Sequence, residues 1–281
     1  MTVDAHVYCL PPRLTDPNVR LPESENKILE AIYSHPESAL ALKLASVREI
    51  RKSMKKYFID RVVLVSLPWT SHELCCENND YLLEIAAAQK SFWVVCAVQP
   101  KDNSWLAESE RCINNGAIGL KINPDWQGYE LDGKEMDELA EFIKVKNRFL
   151  MVHIDHIFKE SSASPAKLCQ LVKRHPETRI LASHLGGMLG LYNLYPPIKN
   201  LLRNVWFDTA VSSTIKMVSF YMEAGLQDKI IFGSDFPFNH CHSQGEVVKD
   251  IKALNLKTEV ENLIFSDNFF MLAGQNCDEC L

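Results

Sequence analysis

Glycine and proline are scarce in this sequence, 11 and 13 of 281 residues, while hydrophobic residues make up 47% and charged residues 23%. That balance excludes a disordered chain and leaves an ordinary globular protein able to bury a large core. An excess of basic charge is also missing: 30 Lys and Arg against 36 Asp and Glu give a net charge of -6 and a pI near 5.9. A nucleic-acid footprint would need the opposite balance. The stretch KSMKK, Lys52 to Lys56, reads as the solvated face of one helix. No run approaches the roughly 18 apolar residues of a membrane span, and Asp4 and His6 interrupt any apolar stretch at the N-terminus. The expectation is a cytoplasmic protein with neither membrane nor nucleic acid as partner. The nine cysteines are odd in number and scattered, and Cys96 (FWVVCAV) and Cys169 (KLCQL) sit inside apolar runs, the usage of reduced thiols acting as small hydrophobes.

Short apolar runs recur along the chain: TVDAHVY from residue 2, RVVLVSL from 61, SFWVVCAV from 91, AIGLKI from 117, FLMVHI from 149, RILASHL from 179, VWFDTA from 205 and KIIFGSD from 229. Most are nearly continuous rather than alternating, as strands buried on both faces of a parallel sheet are. After the first, their starts are 30, 26, 32, 30, 26 and 24 residues apart, close to one βα unit. Amphipathic stretches fill the gaps, among them NDYLLEIAAAQK, DELAEFIKVK, PAKLCQLVKRH and STIKMVSFYMEAG. Eight βα units predict a (β/α)8 TIM barrel in the α/β class, one domain over residues 1–281. The first gap is about twice as long, and its four prolines in LPPRLTDPNVRLPESE predict an extended loop over the mouth, 10–37, before a helix near Ser38. Residues 275–281 predict a short exposed tail, in which Cys277 and Cys280 form a C-x-x-C too small for a zinc site.

Catalytic groups in such barrels come from the C-terminal ends of strands. Those ends hold His6 or Tyr8, Lys121, His153, His184, Asp208 and Asp235. Singly each has a plain structural use: a satisfied histidine, an ion-paired lysine, a helix-capping aspartate. Three imidazoles and a carboxylate at one end of different strands point instead to a shared site, and that donor set suits Zn²⁺ or a similar divalent ion with a position left open for water. In VDAHVY, strand alternation places Asp4, His6 and Tyr8 on one face. Asp125, Trp126, Gln127 and Tyr129, after the fourth strand, and Trp69 and His72, after the second, serve equally as substrate contacts or ordinary loop residues; His240 and His242 read as a polar loop in preference to replacements for a missing ligand.

The motifs DAHVY, AIGLKINPDWQGYEL, MVHID, ASHLGG, IIFGSDFPF and NLIFSDNFFMLAG resemble, end to end, the amidohydrolase superfamily, in the branch that includes aminocarboxymuconate-semialdehyde decarboxylase and small lactonases. The resemblance implies one divalent ion, with Zn²⁺ expected, held by His6, His153 and Asp235. It implies His184 as a further ligand or a contact of the hydrolytic water, and Asp235 as the base that takes the water's proton. Lys121 matches a lysine that is carbamylated in two-metal relatives; in a single-metal site it is an unmodified lysine that pairs with a substrate carboxylate or with Asp235.

Tyr8 departs from the pattern, since the family carries a second histidine there and a phenol is a poor ligand at neutral pH. Three roles are open to it: ligand or hydrogen-bond partner of metal water, substrate contact in a three-ligand site, or mark of a weakened metal site. The leading expectation is a metal-dependent hydrolase of a small carboxylate-bearing lactone, ester or amide, with Lys121, Tyr8, Trp69 and Trp126 as substrate contacts and Arg13 or Arg20 offsetting the carboxylate. The alternative is a non-oxidative decarboxylase of an unsaturated or aromatic acid, in which His184 or Asp235 protonates the carbon. A third reading is a barrel that has lost catalysis and binds. The expected partner is a small-molecule substrate, and self-association is left open.

Overall fold

The computed structural model describes residues 1–16, 18–33, 38–155, 160–210, 215–239 and 243–274. Its eight strands are β1 (Val3–Tyr8), β2 (Arg61–Val65), β3 (Phe92–Ala97), β4 (Gly119–Ile122), β5 (Phe149–Val152), β6 (Arg179–Ala182), β7 (Val205–Asp208) and β8 (Ile230–Ile231). They pair in parallel in chain order. The ring closes where the amides of Ala5 and Tyr8 donate to the carbonyls of Phe232 (2.9 Å) and Phe236 (2.8 Å). This is the (β/α)8 barrel that the spacing predicts.

Helices α1 (Glu23–Tyr33), α2 (Ser38–Leu44) and α3 (Val47–Tyr57) lie between β1 and β2, α4 (His72–Ala88) follows β2, and α5 (Trp105–Asn114) follows β3. Next come α6 (Pro124–Gln127) and α7 (Glu135–Val145), α8 (Pro165–Arg174), α9 (Pro196–Leu201), α10 (Met217–Glu223), α11 (Gln244–Lys252), α12 (Thr258–Asn262) and α13 (Asn268–Ala273). Among the described residues no helix is long and apolar enough to cross a membrane, and the six described cysteines are free thiols.

Alternate strand positions feed two cores. Val62, Leu64, Leu120, Leu150, Ile180 and Ile230 pack outward on the helices, while Val63, Val65, Met151, Leu181 and Ile231 fill the barrel. Phe269 of α13 closes the N-terminal end of the barrel, stacked on Trp93 (ring centroids 5.5 Å apart) and edge-on to Phe149 (6.3 Å). Leu14, Leu21 and Ile28 continue the inner core at the other end, over Tyr8 and Trp69.

Two expectations are corrected. The mouth segment is not one extended loop: its four prolines all precede Glu23, and the helix-forming run ESENKILEAIY makes α1, with a short 3-10 turn at Pro12–Thr15 before it. Glu25 of α1 is fully buried and accepts the amides of Thr70 (3.1 Å) and Ser71 (2.7 Å), just before α4. Nor does one face of β1 carry Asp4, His6 and Tyr8. The register with β2 slips between Asp4 and Val7, a bulge that adds one residue to β1. Val3, Ala5 and Tyr8 then belong to the inner core and Val7 and Cys9 to the outer one. Asp4 bonds to Gln244 at the start of α11 (2.7 Å) and to the Ser234 amide (2.9 Å), whereas His6 reaches β7.

Candidate active site

His6, fully buried, is fixed from behind by Asp208, the last residue of β7: its Nδ1–H donates to Asp208 Oδ2 at 2.9 Å. Burial pushes the imidazole down to about 3, so it is neutral. That tautomer leaves an Nε2 lone pair, which has no hydrogen-bond partner among the described residues and lies 3.4 Å from Asp235 Oδ1.

Asp208 also accepts the backbone amides of His184 (2.8 Å) and Ala210 (3.2 Å). Burial alone would raise its carboxyl, but His6, His184 and the Lys121 ammonium hold it well below the ordinary range. It is the fixed anion on which the two imidazoles are mounted. Asp235 is the contrasting acid: burial pushes it up to about 7, against the opposing pull of His184. Its backbone is left-handed, φ 58°, in the turn after β8.

His184 begins a second left-handed stretch, with φ between 52° and 75° from His184 through Met188. Its Nδ1–H donates to the carbonyl of Ala210, and its Nε2 accepts from His153 Nδ1 at 3.0 Å. Burial and the neighbouring His153 lower its pKa and keep it neutral. His153 stacks on Trp126 (6.0 Å, 22°), and its Nε2 is 3.8 Å from Asp155.

Lys121, expected to meet substrate, is fully buried in the barrel and donates to Ser183 Oγ at 3.1 Å. Burial lowers it to about 8, with Asp208 and Asp235 pulling the other way. Tyr8 lies with its ring 5.1 Å from His6 and 5.2 Å from Phe238. Burial raises its phenol well above 10, helped by Asp235 and Asp208, so it offers a neutral hydroxyl rather than a phenolate.

The remaining expectations divide. Trp69 is fully buried, with its carbonyl taken by Gln127 (3.1 Å) and its indole N–H without a partner among the described residues. Gln127 and Tyr129 are structural: the Gln127 amide also bonds the Val98 carbonyl (2.7 Å), tying the loops after β2, β3 and β4 together, and its oxygen accepts from Tyr129 (2.9 Å). Asp125 is committed to Ser161 and Ser162, and His72 lies 3.4 Å from Cys76. Arg13 is paired with Glu77 in a two-pronged contact, and Arg20 is exposed. His240, His242, Cys277 and Cys280 lie outside the described residues. Sequence reasoning missed Ser183, the Ala210 carbonyl and Gln244, whose partners are 26 to 240 residues away.

Does this donor set fit a divalent ion? Two ligands that share one ion at about 2.0–2.1 Å sit about 3.4 Å apart in tetrahedral geometry, the separation of His6 Nε2 and Asp235 Oδ1. A buried imidazole nitrogen without a partner is the expected sign of a ligand position. The pair therefore fits. A third ligand is not in place: among the described residues no three His, Cys, Asp or Glu side chains close on one point, and His153 is turned to His184 and Asp155.

The amidohydrolase family model matches residues 3–268. No curated protein sequence matches the chain. Among solved structures, the 5-carboxyvanillate decarboxylase of Sphingomonas paucimobilis superposes with a TM-score of 0.79 at 14% identity, covering 98% of this chain and 99% of that one. The corresponding enzyme of Novosphingobium aromaticivorans, in complex with manganese and 4-hydroxy-3-methoxy-5-nitrobenzoic acid, gives 0.78 at 16%, covering 98% and 96%. The 2,6-dihydroxybenzoate decarboxylase of Rhizobium gives 0.74 at 16%, covering 97% and 98%.

Proposed function

Because this chain belongs to the amidohydrolase family, we propose that it is a non-oxidative decarboxylase of a planar unsaturated or aromatic carboxylic acid, dependent on a divalent ion. Hydrolysis, the first expectation from sequence, gives way because decarboxylases recur among the solved structures most like it.

The observation that carries the proposal is the meeting of His6 Nε2 and Asp235 Oδ1 at 3.4 Å, with the Tyr8 ring packed between His6 and Phe238 and Trp126 stacked on His153. His6 and Asp235 would hold the ion, with His153 as the third ligand that the resemblance implies. When bound, the ion would fix the substrate carboxylate, hold Asp235 ionised and polarise the ring oxygens.

The chain's own residues do the rest. Asp208 sets the His6 tautomer and anchors the His184 backbone. Tyr8, Phe238 and Trp126 offer flat apolar surface to a ring and keep water from it. As the carbon–carboxyl bond breaks, its electron pair stays on the ring carbon and CO₂ leaves. A proton must then reach that carbon. His184, neutral at rest, takes up a proton from solvent and hands it to the carbon, which returns the ring to its neutral form, and the Ala210 carbonyl fixes that ring. A cytoplasmic setting, which keeps the free thiols reduced, belongs to the same proposal.

The test is CO₂ release from hydroxybenzoates and unsaturated acids with added Mn²⁺ or Zn²⁺, run beside a lactone panel. We expect CO₂ from at least one planar acid and a loss of about a hundredfold or more in kcat for His184→Gln. Ring opening of a lactone without CO₂ from any acid would overturn the proposal in favour of hydrolysis.

A further inference from the structure

Tyr221 lies on α10, in the outer layer, where its ring is fully buried. A hydroxyl in such a place must find partners. It donates to the carbonyl of Leu185 and accepts the amide of Gly190 at 3.3 Å. The first lies inside, and the second two residues beyond, the left-handed stretch that starts at His184 and runs through Leu185, Gly186, Gly187 and Met188.

The ring shapes that stretch as well. A Cβ at Gly190 would come within 2.1 Å of the Tyr221 ring, so glycine is required where the chain crosses it. The ring meets Phe207 edge-on (5.4 Å, 77°), and Phe207 in turn fills the space beneath Gly186, where a Cβ would lie 2.8 Å from it. Burial raises the phenol, which keeps its proton and hence its role as donor. Phenylalanine would keep the packing and lose both hydrogen bonds, so the hydroxyl is separable from the core contact.

We infer that Tyr221 is a positioning residue for His184: its hydroxyl clamps the left-handed turn that presents the imidazole to His153 and the Ala210 carbonyl. It touches no reacting atom. The inference rests on His184 as proton carrier, so its test needs a readout besides turnover.

In ¹⁵N-histidine-labelled protein the His184 ring signals are identified by their loss in His184→Gln, then compared in Tyr221→Phe and in Val218→Ala, a core truncation on the same helix. The His184 signals should shift or broaden in Tyr221→Phe and stay in place in Val218→Ala. With a decarboxylation substrate, kcat of Tyr221→Phe should fall roughly ten- to hundredfold with KM within about twofold, and the solvent isotope effect on kcat should rise. Unchanged His184 signals in Tyr221→Phe, or equal changes in Val218→Ala, overturn the inference. Should Tyr221→Phe not fold, 3-fluorotyrosine placed at position 221 keeps ring and hydroxyl and alters only the bond strength; movement of the His184 signals supports the inference, and no movement overturns it. If no acid yields CO₂ with the unaltered protein, decarboxylation fails while the ring signals still decide the role of Tyr221.

Discussion

Two aspartates at neighbouring strand ends carry opposite burdens. Asp208 receives N–H groups from His6, His184 and Ala210 and stays ionised, while Asp235 has a lone pair beside it and is pushed up to about 7. This separation of environments divides an anchoring role from a proton-holding one. It also sets a sign for stability. The native Asp235 pKa of about 7 lies above its unfolded value of 3.8, so the native state binds the extra proton and stability falls as pH rises through that window. In metal-free protein, Asp235→Asn should therefore raise the unfolding free energy at pH 8 by a few kcal/mol and leave it nearly unchanged at pH 4. Urea titrations at the two pH values check this, and an equal effect at both would show that Asp235 is not the titrating group. That an acid stands at this position is legible in FGSDFPF; that its proton is retained near neutrality depends on neighbours that no local motif records.

At the scale of elements, the decisive features are departures from regular structure. The bulge in β1 turns His6 and Tyr8 inward while Asp4 is bonded to α11, and strand periodicity alone could not place it because one extra residue leaves no mark in a six-residue run. The left-handed stretch after β6 is partly readable, since glycines in HLGG signal positive φ. His184, Leu185 and Met188 share it without that freedom, at about 1–2 kcal/mol each. Tertiary contacts must offset this. At Gly187, φ is 58° and a Cβ would lie 2.0 Å from the Asp155 carbonyl, whereas Gly128, φ 74°, has nothing within 4 Å of its Cβ position. Gly187→Ala should cost about 3 kcal/mol or more and Gly128→Ala about 1 kcal/mol, compared by urea denaturation. Similar losses at the two sites would show that backbone conformation alone, and not the close approach, sets the requirement at Gly187.

For the whole molecule, an ion held between β1 and β8 would join the first and last strands of the barrel and so stabilise its closure. The closing seam is thin, because β8 is two residues long. At a hundredfold excess over Kd, bound Mn²⁺ or Zn²⁺ should add about 2.7 kcal/mol and raise Tm by roughly 5–10 °C. At the same metal concentration the rise should be larger in Tyr8→His, which supplies the imidazole missing beside His6, and absent in His6→Ala. Differential scanning calorimetry with and without metal measures it; an equal rise in His6→Ala would place the ion elsewhere.

The eight-fold recurrence of apolar runs near 30-residue spacing was sufficient, by itself, to determine the barrel, because strands buried on both faces and helices buried on one leave strong periodic signals. The strand-end identities of His6, His153, His184 and Asp235 were readable for the same reason. Only the tertiary structure decided which of them meet. It joined His6 to Asp235 and Asp208, and moved His153 one hydrogen bond outward. It also buried Lys121 against Ser183, gave Arg13 to Glu77 and set Tyr221 under the His184 turn. Those pairings join residues far apart in the chain, and they rest on hydrogen-bond geometry at the 3 Å scale, which barrel closure fixes and local sequence does not encode.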